Sequence, residues 1–367
     1  MAIALKTYFA SNKQMGSRDR RVVASIVYQY YRIGNALINL SQDERIAIAL
    51  FLCNNKPNEL LQLLNADLNK NITLSIEEKL KLIVEFKPID IFPAIENISY
   101  QLHKESFCLS HLIQPSVFIR VRPNNYATVI KKLQANNITY QQLTDDCLSI
   151  KNTTSLDAIL LLDKEAVIQD YASQQIGILL KEINIQKPQI KIWDCCAASG
   201  GKSIMAIDVF VNKKVDLIVS DNRQTILLNL ERRFKSAGIN NYKKRLLDLT
   251  KPSNLFIKEK FNLVICDVPC TGSGTWGRIP ENLVHFKKES IKEYTHLQKS
   301  IVNNTVLQVE KEGYFLYSTC SVYNEENEGV VEHILQQFPH FKLITSQLIE
   351  GQIKSSDTMY AALLKNG

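Results

Sequence analysis

Apolar residues in the first hundred positions recur at helical spacing, as in RRVVASIVYQYYRIGNALINL (20–40) and SIEEKLKLIVEF (75–86), with polar breaks such as NNKPNE (54–59) between them. The pattern predicts an all-helical domain over residues 1–105. From 106 to 162 the texture changes to short β-rich runs around one helix: SVFIRVRP, then YATVIKKLQAN, then CLSI and DAILLL. A small α/β subdomain is expected there. From 163 to 367, after the helix VIQDYASQQIGILLKE, strands alternate with helices. The strand candidates are QIKIWDC, VDLIVSD, YKKRLLD, FNLVICD and GYFLYST, with TMYAALLKN as a possible further strand near the end. The intervening helices are IMAIDVFV, TILLNLERRFKSAG and SIKEYTHLQKSIVNNTVLQV. This alternation predicts a Rossmann-like domain whose mainly parallel sheet is covered on both faces, with ligands at the carboxyl ends of its strands.

A length of 367 residues exceeds one ordinary core, so two or three domains are expected. With 45% hydrophobic and 22% charged residues the chain is an ordinary globular one, and no low-complexity block marks disorder. The opening MAIALKTYFASNK lacks a secretory pattern and no apolar run reaches membrane-spanning length. A cytoplasmic, monomeric protein without a membrane partner is the expectation. Its eight cysteines are then thiols rather than a disulfide framework. A formal charge of +7 tilts the balance towards a polyanionic partner. Arg18, Arg20 and Arg21 in GSRDRR form either a solvated helix-starting cluster or a phosphate contact, and Arg120 and Arg122 alternate on one strand as edge charges or RNA contacts.

Every conspicuous motif falls at a strand end. Asp194-Cys195-Cys196-Ala197-Ala198-Ser199-Gly200-Gly201-Lys202 follows the first strand of the alternation and opens a helix. Its paired glycines let the backbone approach a ligand. A triphosphate-binding loop needs glycine where Cys196 stands, and a dinucleotide fingerprint needs a third glycine, so both readings fail. Asp221 ends the second strand and Asp248 the third. Three acids at successive strand ends suit a nucleoside-bearing cofactor without phosphates, because carboxylates accept ribose and amine hydrogens but repel a pyrophosphate. Any one of them alone is more often a cap or loop residue.

Asp267, Pro269 and Cys270 directly follow the fourth strand, in FNLVICDVPCTGSGTWGRIPEN, and Cys320 directly follows the fifth, in GYFLYSTCSVYNEENE. Neighbouring strands lie roughly 5 Å apart, so if these two are adjacent both thiols face one crevice. D-V-P-C-T-G-S-G with R-I-P-E, Y-S-T-C-S with E-N-E, D-C-C-A-A-S-G-G-K and the upstream VIQDYAS together resemble the motifs of the bacterial Sun (RsmB) and eukaryotic Nop family of RNA cytosine-5 methyltransferases, over roughly Arg120 to the C-terminus. One departure is Ser199, where that family usually has proline.

The resemblance implies a class I, Rossmann-like fold with a mainly parallel seven-stranded sheet, S-adenosylmethionine as cofactor and RNA as substrate, with ribosomal RNA ahead of transfer RNA. Carbon 5 of cytosine is a weak nucleophile, and addition of a thiolate at carbon 6 makes it a strong one. By the resemblance Cys320 attacks, Cys270 helps release the adduct, and Asp267 hydrogen-bonds the base and supplies a proton. The loop Cys196, Ala197, Ala198, Ser199, Gly200, Gly201, Lys202, with Asp221, Asp248 and Asp267, would hold the cofactor. Asp194 would chiefly cap the loop. Trp276 and Tyr323 would either stack on the base or pack. Cys195, Cys196 and Cys266 are expected as packed thiols, and Cys53, Cys108 and Cys147 are scattered. No C-x-x-C pair or cysteine-histidine cluster occurs, so no metal is expected and a zinc-dependent base deaminase is excluded. The rival readings are a methyltransferase of another class with structural cysteines, and an RNA-binding assembly factor with a dead domain.

Overall fold

The computed structural model describes residues 1–152, 154–251 and 259–367. They divide into two compact units, one of Met1–Gln114 with Thr275–Lys288, the other of Pro115–Gly274 with Glu289–Gly367. The sequence reading has three parts bounded at 105/106 and 162/163. Here the helical part runs to Gln114 and takes in a distant excursion, while the small and large sheets share one unit.

The first unit carries α1 (Ala2–Ser11), α2 (Ser17–Arg32), α3 (Gln42–Cys53), α4 (Glu59–Leu64), α5 (Ala66–Lys70), α6 (Ile76–Leu82) and α7 (Lys104–Ser110). Ser41 and Ser75 open α3 and α6 with reciprocal capping by Glu44 and Glu78, which satisfies amides that the first turn leaves free. Arg32, at the end of α2, is buried, and burial lowers its pKa. Its guanidinium donates to the carbonyls of His111, Ile113 and Gly277 at 2.8, 3.1 and 3.0 Å and to Gln114 Oε1 at 2.9 Å, which replace the lost water. Trp276 stacks on Phe92, 5.1 Å between ring centres, and meets Phe286 at 4.8 Å, so the excursion 275–288 is part of this unit's core.

The second unit has two sheets. The smaller is antiparallel in the order β2-β3-β1-β4, with β1 (Val117–Val121), β2 (Tyr140–Gln142), β3 (Cys147–Ile150) and β4 (Ala166–Ile168), covered by α8 (Tyr126–Ala135). DAILLL, expected as a β-rich run, forms turns instead, and its Leu160 joins Leu156, Val129 and Leu133 in a small core. An unbroken apolar run without alternation fits a buried turn as well as a strand.

The larger sheet runs β10-β11-β9-β8-β5-β6-β7. Its strands are β5 (Gln189–Asp194), β6 (Lys214–Asp221), β7 (Tyr242–Leu246), β8 (Phe261–Asp267), β9 (Val309–Thr319), β10 (Phe341–Ile349) and β11 (Met359–Asn366). β7, β6, β5, β8 and β9 are mutually parallel, and β11 and β10 pair antiparallel beyond β9. The connecting helices are α9 (Tyr171–Lys181), α10 (Gly201–Val209), α11 (Gln224–Ala237), α12 (Asn282–His285, within the first unit), α13 (Glu289–Thr305) and α14 (Glu328–Gln337). Residues from α9, α10 and α11 bury one sheet face with Ile192, Val219, Ile265 and Leu316, and α13 packs on the other, where Cys266 Sγ lies 3.8 Å from Thr305 Oγ1. The expected doubly covered, mainly parallel seven-stranded fold is what forms. Strand order reverses between β5 and β8, the place where such sheets open a crevice at their carboxyl ends.

Candidate active site

The turn after β5 is held by its own backbone. Cys195 N donates to Ile265 O and Ala197 N to Ser220 O, both at 2.9 Å. Ala198, with φ +46°, donates its amide to Asp221 Oδ2 at 3.1 Å. Gly200 has φ +83°, and a Cβ there would stand 2.4 Å from Phe234 Cε1, so the position needs glycine; Gly201 then starts α10. Arg233 donates to Ser199 Oγ at 2.9 Å and Ser199 O at 3.1 Å while pairing with Asp163 at 2.6 Å. A proline at 199 would lack that hydroxyl contact.

The three strand-end acids differ. Asp194 is fully buried; Ser203 Oγ donates to its Oδ2 at 2.6 Å, and its Oδ1 has no hydrogen-bond partner among the described residues. Burial pushes its carboxyl up to about 7. Asp221 accepts from Arg223 N and Nε at 3.0 and 2.9 Å. Asp248 lies beyond the end of β7 and accepts from Thr250 N and Oγ1 at 3.1 and 2.6 Å, bonds that lower its pKa along with Lys251 at 3.3 Å. It caps its own turn.

Across the strand-order reversal, β8 and β9 are parallel neighbours with Asp267 opposite Ser318. Asp267 Oδ1 accepts from Ser318 Oγ at 2.8 Å, and Oδ2 pairs with Lys202 Nζ at 2.5 Å, which links the cofactor-loop motif to the end of β8. Cys270, three residues past Asp267 at the end of β8, and Cys320, one past Thr319 at the end of β9, converge. Cys270 Sγ and Cys320 Sγ are 3.2 Å apart, both half-buried. The Cys320 sulfur, burial and the nearby Glu326 carboxylate push the Cys270 thiol well above its ordinary value. Cys270 is thus held as a protonated thiol beside its partner.

With this geometry in view, similarity to known proteins becomes decisive. Residues 180–364 match the family model of the 16S rRNA methyltransferase RsmB/F. The chain belongs to the RsmB/F methyltransferase family. Methyltransferases of this family take their methyl group from S-adenosylmethionine. Among its relatives, the probable ribosomal RNA small subunit methyltransferase B of Bacillus subtilis is 26% identical over 242 residues, covering 65% of this chain and 53% of the relative. The Coxiella burnetii counterpart is 25% identical over 291 residues, 72% and 65% of the two chains. The human tRNA (cytosine(72)-C(5))-methyltransferase NSUN6 is 28% identical over 177 residues, 45% and 37%. The chain therefore spans between about a third and two thirds of these relatives' lengths. The crystal structure of PH0851 superposes with a TM-score of 0.72 at 22% identity over 98% of this chain and 93% of that one. NSun6 from Pyrococcus horikoshii, solved with SFG, gives 0.62 at 15% identity over 74% and 99%. At those identities the two structures speak for the shared fold.

In this RsmB/F-type site the residue that sequence reasoning missed is Glu326. It is fully buried, and burial raises its pKa against the hydrogen bonds it accepts. Its Oε2 accepts from Thr271 N and Gln298 Nε2, each at 2.9 Å, and its Oε1 from Thr271 Oγ1 and Ser321 Oγ, each at 2.5 Å. One carboxylate thereby ties the residue after Cys270 to the residue after Cys320. Asn327 adds to the clasp, accepting from Thr319 Oγ1 at 2.5 Å and donating to Ser321 O at 2.9 Å. Gly274 N donates to Cys320 O at 2.9 Å, and a Cβ at Gly274 would sit 1.9 Å from Thr358 O. The E-N-E run, Glu326 to Glu328, was the available signal: three polar residues seven positions past the end of β9.

Of the remaining expectations, that for Arg120 and Arg122 changes. Trp276 and Tyr323 are fully buried, so both pack. Arg120 and Arg122 do not face a partner molecule. Both grip Asp208 of α10, at 2.7 and 2.8 Å, with Arg122 also bonding Asp163 O and Ala237 O, so they fasten the small sheet to the large one. Arg20 is partly held by Met15 O at 3.0 Å and lies over the Phe9 ring, whereas Arg18 and Arg21 are exposed. Cys195 and Cys266 are buried and Cys196 half-buried, and the three sulfurs all lie within 4.8 Å of one another.

Proposed function

We propose that this protein methylates carbon 5 of a cytosine in RNA through a covalent adduct on Cys320. The observation that carries the reading is the 3.2 Å approach of the Cys270 and Cys320 sulfurs at the ends of adjacent strands. Neither binding alone nor a methyltransferase of another class needs two thiols in one cleft. S-adenosylmethionine supplies an electrophilic methyl group when bound. The residues present fit it: the glycine turn admits close approach, the unpartnered Asp194 Oδ1 and the Asp221 carboxylate offer acceptors for amine and hydroxyl hydrogens, and no cationic cradle for a pyrophosphate is needed. Asp248 extends that set at the next strand end, and residues 196–202 line the turn.

The chain's own groups divide the work. The Cys320 thiolate adds to carbon 6 of the flipped base and Asp267, held by Lys202 and Ser318, hydrogen-bonds the ring nitrogen or exocyclic amine as charge shifts into the ring. After carbon 5 is methylated, Cys270 first gives its own proton to solvent and as thiolate takes the carbon 5 proton, while the carbon 6–sulfur bond breaks and its electron pair returns to Cys320. Looped or single-stranded RNA lowers the cost of flipping. Ribosomal RNA is the leading substrate, in line with the methyltransferase B relatives, and transfer RNA is the second reading, favoured by the similarity to NSUN6. The helical front part and the small sheet would grip the RNA, with the protein acting as a cytoplasmic monomer. No helix among the described residues is long and apolar enough to cross a membrane.

Replacing Cys320 by alanine is expected to reduce methyl transfer by about 10³-fold or more while S-adenosylhomocysteine still binds. Cys270→Ala is expected to accumulate a denaturant-resistant protein–RNA adduct on gels. Full turnover by the first variant would refute the nucleophile, and absence of adduct in the second would refute the release group. Bisulfite sequencing of RNA with and without the gene identifies the molecule and the nucleotide.

A further inference from the structure

We propose that Cys195, Cys196 and Cys266 form a binding site for a single thiophilic divalent cation of the zinc class, distinct from the Cys270–Cys320 pair. Cys195 and Cys196 follow β5, and Cys266 is the next-to-last residue of the neighbouring β8, so sheet pairing brings together residues some seventy positions apart. All three sulfurs lie within 4.8 Å of one another. Three thiolates around one ion with metal–sulfur bonds of about 2.3 Å stand about 4.0 Å apart, so the cluster closes on a cation by shifts of under about 1 Å. Cys195 and Cys266 are buried and Cys196 is half-buried, so the cluster is largely shielded from water.

The chemistry of the surroundings selects the cation's class. Sulfur donors favour soft or borderline ions over calcium or magnesium. The cluster is flanked by the Asp194 carboxylate, one residue before Cys195, and by Asp267, one residue after Cys266. Lys202 neutralises Asp267 and nothing cationic among the described residues pairs with Asp194. Three thiolates carry more negative charge than a monovalent ion offsets, so a divalent ion suits them better. The other polar neighbour of Cys266, Thr305 Oγ1 at 3.8 Å, is neutral. Binding displaces the thiol protons to solvent, so affinity rises with pH. A loaded site pins the cofactor turn to the end of β8. The expectation that no metal binds rested on spacing along the chain, which cannot register a third cysteine supplied by an adjacent strand. The inference does not depend on the methylation reading.

The test uses the full chain carrying Cys270→Ser and Cys320→Ser, which removes the other close thiol pair. Reduced protein is titrated with Zn2+, and with Cd2+ as a probe of thiolate-to-metal charge-transfer absorbance. Uptake of about one equivalent is expected, with a rise in melting temperature, because the ion binds the folded state. Adding Cys195→Ala or Cys266→Ala should weaken uptake at least about tenfold and abolish the absorbance. No stoichiometric uptake in the starting protein, or uptake indifferent to these changes, would overturn the site. Should the buried variants fail to fold, Cys196→Ser at the half-buried position decides in the same way. Cu+ in a parallel arm distinguishes the ions: tighter binding of Cu+ with no Zn2+ uptake overturns the divalent assignment.

Discussion

The two ends of the cleft are built on opposite plans. Around the thiols, Glu326 accepts four hydrogen bonds, Asn327 clasps two more, and Gly274 is threaded against Thr358 and Cys320. Around the cofactor turn, Asp194 is buried with an oxygen that has no partner among the described residues, and the half-buried Cys196 lies beside it. The two sulfurs are therefore held in place by the fold itself, as the proposed reaction with two thiols at one ring requires. The cofactor end leaves polar capacity unused, which a ligand can satisfy. A buried acceptor without a partner costs stability in the free protein and returns it on binding.

The contrast can be broken most severely at Glu326. Glu326→Ala removes the four bonds that Glu326 accepts and strands the Thr271 amide, and a loss of about 3–5 kcal/mol is expected in denaturant titrations. Glu326→Gln keeps the shape and should lose only about 1–2 kcal/mol. Methyl transfer should fall more than S-adenosylhomocysteine affinity in the glutamine variant. Equal stability of the alanine variant and the parent would remove the clasp from the account.

At the other end the effect has the reverse sign. Burial pushes the Asp194 carboxyl up to about 7 in the fold, against near 3.9 in an unfolded chain, so between those values the folded state holds the extra proton. Its contribution to stability accordingly falls as pH rises from about 4 to about 7 and is level above that. Asp194→Asn should stabilise the ligand-free protein by about 1–3 kcal/mol at pH 8 and by almost nothing near pH 4, while weakening cofactor binding. An unchanged pH slope in the variant would contradict this assignment. The smallest effect belongs to Ser199→Ala, about 0.5 kcal/mol or less, because Arg233 keeps Asp163 and the Ser199 carbonyl. A larger loss by thermal melting would show that the hydroxyl shapes the turn.

What the sequence made legible was local. Strand ends carrying Asp194, Asp267, Cys270 and Cys320 stand out because a run of Val, Ile and Leu followed by a turn is written in consecutive letters. β10 escaped because an antiparallel edge strand, exposed through Lys342–Ile344, has no fully apolar run. Glu326 escaped because glutamate between polar neighbours reads as surface, and its burial depends on Thr271 and Gln298, far away in the chain. Arg120 and Arg122 read as surface charges for the same reason: their partner Asp208 lies more than eighty residues on. Charge pattern records which residues are polar, and only the fold decides what they meet.

The excursion 275–288 sets an order of events during synthesis. Trp276, Phe286 and the Gly277 carbonyl complete the core around Phe92 and Arg32, yet the ribosome makes them only after most of the second unit. The nascent N-terminal third waits with the Arg32 guanidinium short of one carbonyl and the Phe92 ring uncovered on one side. A fragment cut after Gln114 inherits that exposed seam permanently, and its stickiness would report the missing segment rather than any natural binding surface.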